Sequence, residues 1–396
     1  MSFRCFDDQR VIPSNRACKC GIEGLTLSNG RFDCDNGMAI HRVPFWIGLV
    51  LTVLFLAGCG EGKKDGVEHV FKIANVLAES DVTGYGLNRF AELVEEKSEG
   101  RIEIRLFHGG QLGSGVETFE AVKNGHLDLA ADSFANLASI TPAFEVFHLP
   151  FLFSSRAEML AVYRSNAVRE QVNGELAEVG LRWFATFEIG GPREVGTSRR
   201  KITKAADLEG LKFRASRSPL EIAAQEAWGA KGVTVDWTET PEAVRLGMVD
   251  GLTVPYASFY SARFYEGGLI RYLLDLNFQT YAMVVVVNAK AWEKLPVEVQ
   301  ATLEEAAREA ESWHIGFVGD YITKNIQEMR AAGVEINKLP AFEEENLKRR
   351  TKEAVWGKFV GRPGISRAKL ELIQQEIKGV DGTGWGYETN PDSLVK

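Results

Sequence analysis

The sequence predicts an α/β fold in two units, with one long helix available to brace both. Three observations carry that expectation. Apolar runs of strand length alternate with stretches of helical period from Val70 onward, the pattern of a largely parallel sheet with helices on its faces. The alternation then resumes after a passage rich in glycine and arginine, Gly190 to Ser216. Finally, Val299, Leu303, Ala306, Ala310, Trp313 and Phe317 follow one another by alternate steps of four and three, one apolar seam on a helix from about Val297 to Ala332. At 1.5 Å per residue that helix is roughly 50 Å long, more than one small unit requires. A chain of 396 residues, 45% of them hydrophobic, favours two domains over one.

In order, Val70 to Leu77 reads as a strand, and Tyr85 to Ser98 as a helix with Leu87, Phe90, Leu93 and Val94 on one face, stopped at Gly100. Arg101 to Phe107 alternates as a strand. The loop HGGQLGSG leads to a helix from Val116, where Ser114 and Glu117 have capping-box spacing. Leu127 to Ala131 is a short strand and Pro142 to Phe153 an aromatic-rich crossing. Ser155 and Glu158 cap a helix running to about Leu176, followed by the strand Leu181 to Ile189. In the second unit, Leu211 to Ala215 is a strand carrying Arg214, Pro219 to Trp228 a helix and Gly232 to Trp237 a strand. Thr240-Pro241 opens a helix with proline at its first position. Strands near Leu269 to Leu276 and Tyr281 to Asn288 precede the long helix, and two amphipathic helices, about Glu343 to Phe359 and Ser366 to Lys378, close the chain.

The front of the chain reads as an address. All five cysteines lie at or before Cys59, so the body has no thiol for a disulfide, metal or nucleophile. From Met38, a short basic region (His41, Arg42) precedes the apolar run Val43 to Phe55 and then Leu56-Ala57-Gly58-Cys59, the layout of a secretory signal. The run is shorter than the roughly 20 residues that span a bilayer. LAGC resembles a bacterial lipobox, which implies cleavage before Cys59 and a lipid on its sulfur. Residues 1–37 show no periodicity and are expected to be disordered or upstream of the true start. Residues 38–58 then form the signal and 59–68 a flexible linker.

Several function classes are disfavoured. A net charge of −8 without a Lys/Arg block argues against nucleic acid. GxSxG, HExxH and DxDxDG are missing, the histidines are scattered singly, and neither cofactor, metal site nor enzymatic activity is expected. One residue stands out. Arg214 sits in an apolar strand, and an unpartnered buried guanidinium costs several kcal/mol. Its planar donor fork suits a carboxylate, supplied either by a ligand or by an internal acid such as Glu188 or Asp236.

Several stretches resemble one family. GRIEIRLFHGGQLG (Gly100 to Gly113), HLPFLF (His148 to Phe153), GGPREVGTS with DLEGLKFRAS, TPEAVRLGMVDGLTVP (Thr240 to Pro255) and NAKAWEKLPVEVQATLEEAAREA (Asn288 to Ala310) are similar to the solute-binding receptors of tripartite ATP-independent periplasmic (TRAP) transporters, the DctP-like dicarboxylate-receptor group. The likeness spans nearly all of residues 70–360. It implies a two-lobed periplasmic-binding-protein fold, type II-like, closing on an organic acid over a long shared helix. Lobe I would comprise residues 69–190 plus about 280–318, and lobe II 191–279 plus about 319–380.

The resemblance further implies that Arg214 salt-bridges the ligand carboxylate and that Arg193 assists, although Arg193 lies one residue farther from Arg214 than in the sialic-acid receptors of the family. It places Asn75, Glu188, Trp237 and Tyr281 at the cleft. Where some members carry a ligand-touching asparagine before proline, this chain has Val254, which implies a less hydroxylated ligand on that side. The implied partners are a small carboxylate, the small and large membrane subunits of a TRAP permease, and the membrane through the lipid anchor. A ligand sensor for a signalling protein, or a periplasmic enzyme on an acid substrate, remain the alternatives.

Overall fold

The computed structural model describes residues 66–382 and 384–387. The expectations for residues 1–37, for the signal and for Cys59 lie outside the described residues. The chain runs β1 (His69–Asn75), α1 (Val82–Lys97), β2 (Ile102–Phe107), α2 (Gly115–Lys123), β3 (Leu129–Ser133) and α3 (Phe134–Leu137), then α4 (Arg156–Arg164), α5 (Asn166–Ala177) and β4 (Leu181–Glu188). There follow β5 (Arg193–Thr197), β6 (Lys212–Ala215), α6 (Pro219–Ala227), β7 (Lys231–Thr234), α7 (Thr240–Arg245), β8 (Gly251–Val254), α8 (Tyr256–Ser261) and β9 (Tyr272–Gln279). The last elements are β10 (Ala282–Asn288), α9 (Ala289–Glu293), α10 (Val297–Ala331), β11 (Glu335–Asn337), α11 (Ala341–Phe359) and α12 (Arg367–Ile377).

Two sheets result, ordered β2-β1-β3-β10-β4 and β11-β9-β5-β8-β6-β7. Each is mixed instead of largely parallel. β1 pairs parallel with β2 and β3, but β10 runs antiparallel between β3 and β4, because the chain returns to the first sheet from the opposite end. β5 likewise lies antiparallel to β8 and β9. The chain therefore crosses between sheets three times: through Ile189–Pro192, through Thr280–Tyr281, and along α10. In the first crossing Gly190 and Gly191 have φ of +83° and +92°, and a Cβ on Gly190 would stand 2.3 Å from that of Ala257. Only glycine fits both the conformation and the close approach.

The capping box of α2 forms as its spacing predicts, with Ser114 and Glu117 each accepting from the other's backbone amide. The single helix expected from Ser155 to Leu176 is two. Ser165 is extended (φ −66°, ψ 124°), ends α4 and turns its hydroxyl to the amide of Val168 to start α5.

Long helix α10 joins the two halves. Val299, Leu303, Ala306 and Ala310 bury into the core under the first sheet, against α1 and β4. Val318, Ile322, Ile326 and Met329 bury into the core of the second, where α10 meets α8. The predicted seam holds for its first four members only. Trp313 is 41% exposed, stacked on Phe317 at 5.0 Å, while His314 and Val318 take the buried places. A straight helix of 3.6 residues per turn drifts about 20° per heptad against a strict four-three repeat, so the buried stripe rotates off Trp313. A third core spans both sheets, bringing Trp183 and Val284 of one together with Phe213 and Phe278 of the other and Trp228 at the end of α6, under α11 and α12. Helix α12, attached to the second lobe by its place in the sequence, packs against α4 and α5 beside the first sheet. On the far side of α10, Ser261 of α8 donates to Asp81 at 2.7 Å and Tyr321 to the carbonyl of Ser80 at 2.9 Å, tying the halves at their edge.

Chemical denaturation checks the rotated stripe. Ile322→Ala is expected to cost about 2–5 kcal/mol as a fully buried truncation, and Trp313→Ala about 1 kcal/mol or less.

Candidate functional site

The parallel strands of the two sheets point their carboxyl ends at each other, the usual place for a ligand crevice in α/β sheets. A narrow cavity lies there, with about 10 Å³ open to the centre of a water-sized sphere. Val76 after β1, the first turn of α2 (Ser114, Gly115, Val116) and Asn136 line one side. Arg214, Ser216 and Arg217 at the end of β6, with the segment Val235–Thr238 after β7, line the other. A larger and more open concavity lies on the outer surface between α5, β4 and α10. Two of its arginines are already engaged: Arg169 pairs with Glu311 at 2.8 Å and Arg182 with Glu304 at 3.3 Å.

Arg214 is 2% exposed. Its Nε donates to the carbonyl of Val235 at 2.9 Å, Nη1 has no hydrogen-bond partner, and no ion pair engages it among the described residues. The ring of Trp237 lies 5.6 Å from its guanidinium carbon. Burial lowers its pKa, with nearby Tyr281, Glu221 and Asp132 pulling the other way. The two internal acids that sequence offered as counter-ions go elsewhere: Glu188 accepts from Arg156 at 2.8 and 2.9 Å, and Asp236 from Arg217 at 3.1 Å.

Arg193, fully buried at the start of β5, is in a different state. It donates to Glu221 at 2.8 Å, to the carbonyl of Thr253 and to the Ser216 hydroxyl at 3.2 Å, and its guanidinium lies 4.0 Å above the ring of Tyr281. Glu221 is further held by Thr253 at 2.6 Å and by the amide and hydroxyl of Ser216. Arg193 thus has an internal counter-ion and stands behind the cavity wall. Nothing in the sequence singled out Glu221, because its place three residues after Ser218 reads as helix capping. Ser218 does accept from its amide at 3.3 Å, yet the carboxylate turns to Arg193.

The remaining expected residues divide. Trp237 lines the cavity and Tyr281 adjoins it through Arg193. Asn75, at the end of β1 beside Val76, accepts from Leu77 at 3.1 Å and bonds His108 at 2.9 Å. Glu188 does not line the cavity, being held by Arg156 with its carbonyl on His314. Val254 is fully buried in the second core, paired with Glu194 across β5 and β8. Since Val254 does not reach the cavity, it gives no reason to expect a less hydroxylated ligand. Sequence reasoning missed Asn136, which lines the cavity, and Asp132, which stands behind the wall and accepts from Asn136 at 2.6 Å. Asp132, 4% exposed at the end of β3, is raised to about 6 by burial, against the lowering effects of Asn136, the Ser133 amide and Arg214. Its only signal was a charge where the apolar β3 run ends.

Two sheets on three crossings, with a crevice between them that holds one guanidinium without an ion-pair partner, define a two-lobed solute receptor. Residues 73–360 match the family model described as bacterial extracellular solute-binding protein, family 7 (DctP). The chain belongs to this family, the solute receptors of TRAP transporters. It is 28% identical over 289 residues to the 2,3-diketo-L-gulonate-binding periplasmic protein YiaO of Escherichia coli K12, covering 72% of this chain and 87% of that protein. It is 27% identical over 276 residues to the C4-dicarboxylate-binding periplasmic protein DctP of Rhodobacter capsulatus, covering 69% and 81%. The crystal structure of a TRAP periplasmic solute-binding protein from Ochrobactrum anthropi superposes with a TM-score of 0.70 at 30% identity, covering 84% of this chain and 99% of that one. Another from Ralstonia eutropha H16, with bound (S)-2-acetolactate, gives 0.72 at 26%, covering 78% and 98%.

Two expectations follow from the buried ionisable groups. Removing one partner of the Arg193–Glu221 pair strands the other, so Glu221→Ala should lower stability by about 3–5 kcal/mol in chemical denaturation. His314 keeps its Nε2 on the Glu188 carbonyl at 3.0 Å, and burial lowers its pKa to about 4. Because the folded value lies below the unfolded one, the stability this neutral ring contributes is present above the unfolded pKa of about 6.5 and is lost as pH falls from there toward 4. NMR titration should find the ring neutral until pH approaches 4.

Proposed function

We propose that the protein captures a small organic acid outside the cytoplasm by pairing the acid's carboxylate with Arg214, then delivers it to the small and large membrane subunits of a TRAP permease. The observation that carries this reading is a guanidinium 2% exposed at a cavity, with one nitrogen unpartnered and no internal acid assigned to it. A carboxylate there forms two parallel charge-assisted hydrogen bonds away from water. The start of α2 on the same cavity adds the positive end of a helix to the anion's surroundings. Trp237 packs beside the pair, Arg193 and Tyr281 back it, and Asn75 fixes the loop that carries Val76. Relatives named for 2,3-diketo-L-gulonate and C4-dicarboxylates, and a solved relative holding (S)-2-acetolactate, support an acid as the ligand class. Glu188 serves this reading indirectly, by holding Arg156 and His314 at the first crossing. Family membership in transport receptors supports a binding role without turnover.

Isothermal titration with a panel of organic acids tests the assignment. Arg214→Ala should bind the wild-type ligand about a hundredfold or more weakly, since a buried charge loses its partner. The same variant should unfold at an equal or higher temperature than wild type when both are empty, because it no longer buries an unpaired charge. Unchanged affinity would overturn the role of Arg214.

We further propose that Leu56-Ala57-Gly58-Cys59 is processed as a lipobox, leaving a lipid-anchored receptor on the outer face of a membrane. Labelled palmitate should enter the wild-type protein in cells and not Cys59→Ala.

A further inference from the structure

After α12 the chain returns across the molecule and touches each of the three connections between the sheets. The amide of Arg156, at the start of α4, donates to the carbonyl of Gly384 at 3.0 Å. Trp385 packs on the core shared by both sheets, and Tyr387 on the core of the second. The Tyr387 ring meets Tyr256 edge-on at 5.8 Å and covers Gly191 in the first crossing, where a Cβ would stand 2.9 Å from it. Its hydroxyl donates to Oδ1 of Asn277 at 3.2 Å, three residues before the second crossing. The carbonyl of Gly386 lies against α10, the third connection, 2.9 Å from where a Cβ on Gly319 would be.

Arg156 gathers the same elements. Its amide holds the tail, while its guanidinium holds Glu188 beside the first crossing and donates to the Ile315 carbonyl of α10 at 2.6 Å. Gly316 and Gly319 fall where α10 passes from one core to the other. Glycine weakens a helix interior relative to alanine. At Gly319 the tail's carbonyl occupies the room that a side chain would need.

The cavity between the sheets has room for about one water. Any larger solute enters only when the sheets part, and parting them turns the three connections. We infer that residues 384–387 form a clamp on these connections that favours the closed arrangement, with Tyr387 as its positioning residue. The tail fits all three in their present setting. Turning them sacrifices some of its contacts, and that difference in contacts biases the equilibrium between closed and open. The tail stands behind the crossings and touches no residue of the cavity wall named above, so it acts on the ligand only through the positions of the two halves.

The body after Cys59 has no cysteine, which leaves it open to paired spin labels. The full chain, with its five front cysteines replaced by serine, takes labels at Asn124→Cys after α2 and Glu226→Cys in α6, both exposed sites. Pulsed electron paramagnetic resonance on the empty protein then reads the separation of the halves. With the tail unaltered, one distance should dominate. Tyr387→Ala should bring a second distance, longer by more than about 2 Å, to a share well above the roughly 10% of an ordinary minor state. Tyr387→Phe keeps the ring, loses only the bond to Asn277, and should match the unaltered tail. Gly319→Ala favours the helix yet crowds Gly386, so it should open the halves as Tyr387→Ala does. Unchanged distances in both alanine variants overturn the clamp, and so does a shift to shorter ones. Should Tyr387→Ala fail to fold, Gly319→Ala alone decides, since it leaves the tail's own sequence intact. No acid is added, so the result is independent of whether Arg214 pairs with a carboxylate.

Discussion

The buried pair of Arg193 and Glu221 sets the terms for everything near the cleft. Two guanidiniums lie within reach of one crevice, and a protein that left both unmatched would carry a heavy desolvation cost in its empty state. Glu221 settles one of them with a net of bonds from Ser216, Thr253 and Arg193 that ties β5, β6, β8 and the start of α6 together. Arg214, five residues before α6 begins, is the one of the two without an ion-pair partner among the described residues. The second sheet is thus built around a satisfied ion pair, while the neighbouring guanidinium keeps one nitrogen without a hydrogen-bond partner.

Much of this arrangement could be read from the residues. The strand-helix alternation, the capping box at Ser114 and Glu117, the proline opening α7 and the span of α10 all rest on local rules, and local rules survive folding. What escaped was set by long-range geometry. β5 lies in the passage rich in glycine and arginine, yet Arg193 to Thr197 forms a strand because β8 and β9 flank it on both sides. The antiparallel course of β10 depends on where the chain re-enters the first sheet, which no local pattern records. Trp313 fits a four-three repeat and fails a 3.6 one.

The cleft was legible in the same uneven way. Arg214 announced itself as a charge in an apolar strand. Its partnerless state could not be inferred, since it depended on Glu188 and Asp236 finding other arginines. Val254 occupied a position where relatives have a polar contact, but the side chain turns into the core. Asp132 and Asn136 lay unnoticed because their meaning comes from Gly115, more than fifteen residues away in sequence, leaving room above its backbone. Pairwise proximity made the site, and composition carries no trace of it.

A helix that belongs to two cores also decides how the molecule comes apart. Unravelling one half would strip α10 of half its burial and expose Val299 to Ala310 or Val318 to Met329 to water. The remaining half would then keep a dangling helix with no surface to lie on. Together with the core shared by both sheets, this makes partial melting unfavourable, so the whole body denatures in one step and different spectroscopic probes trace the same curve. Two lobes joined by one helix and a common core are, for thermal collapse, a single unit.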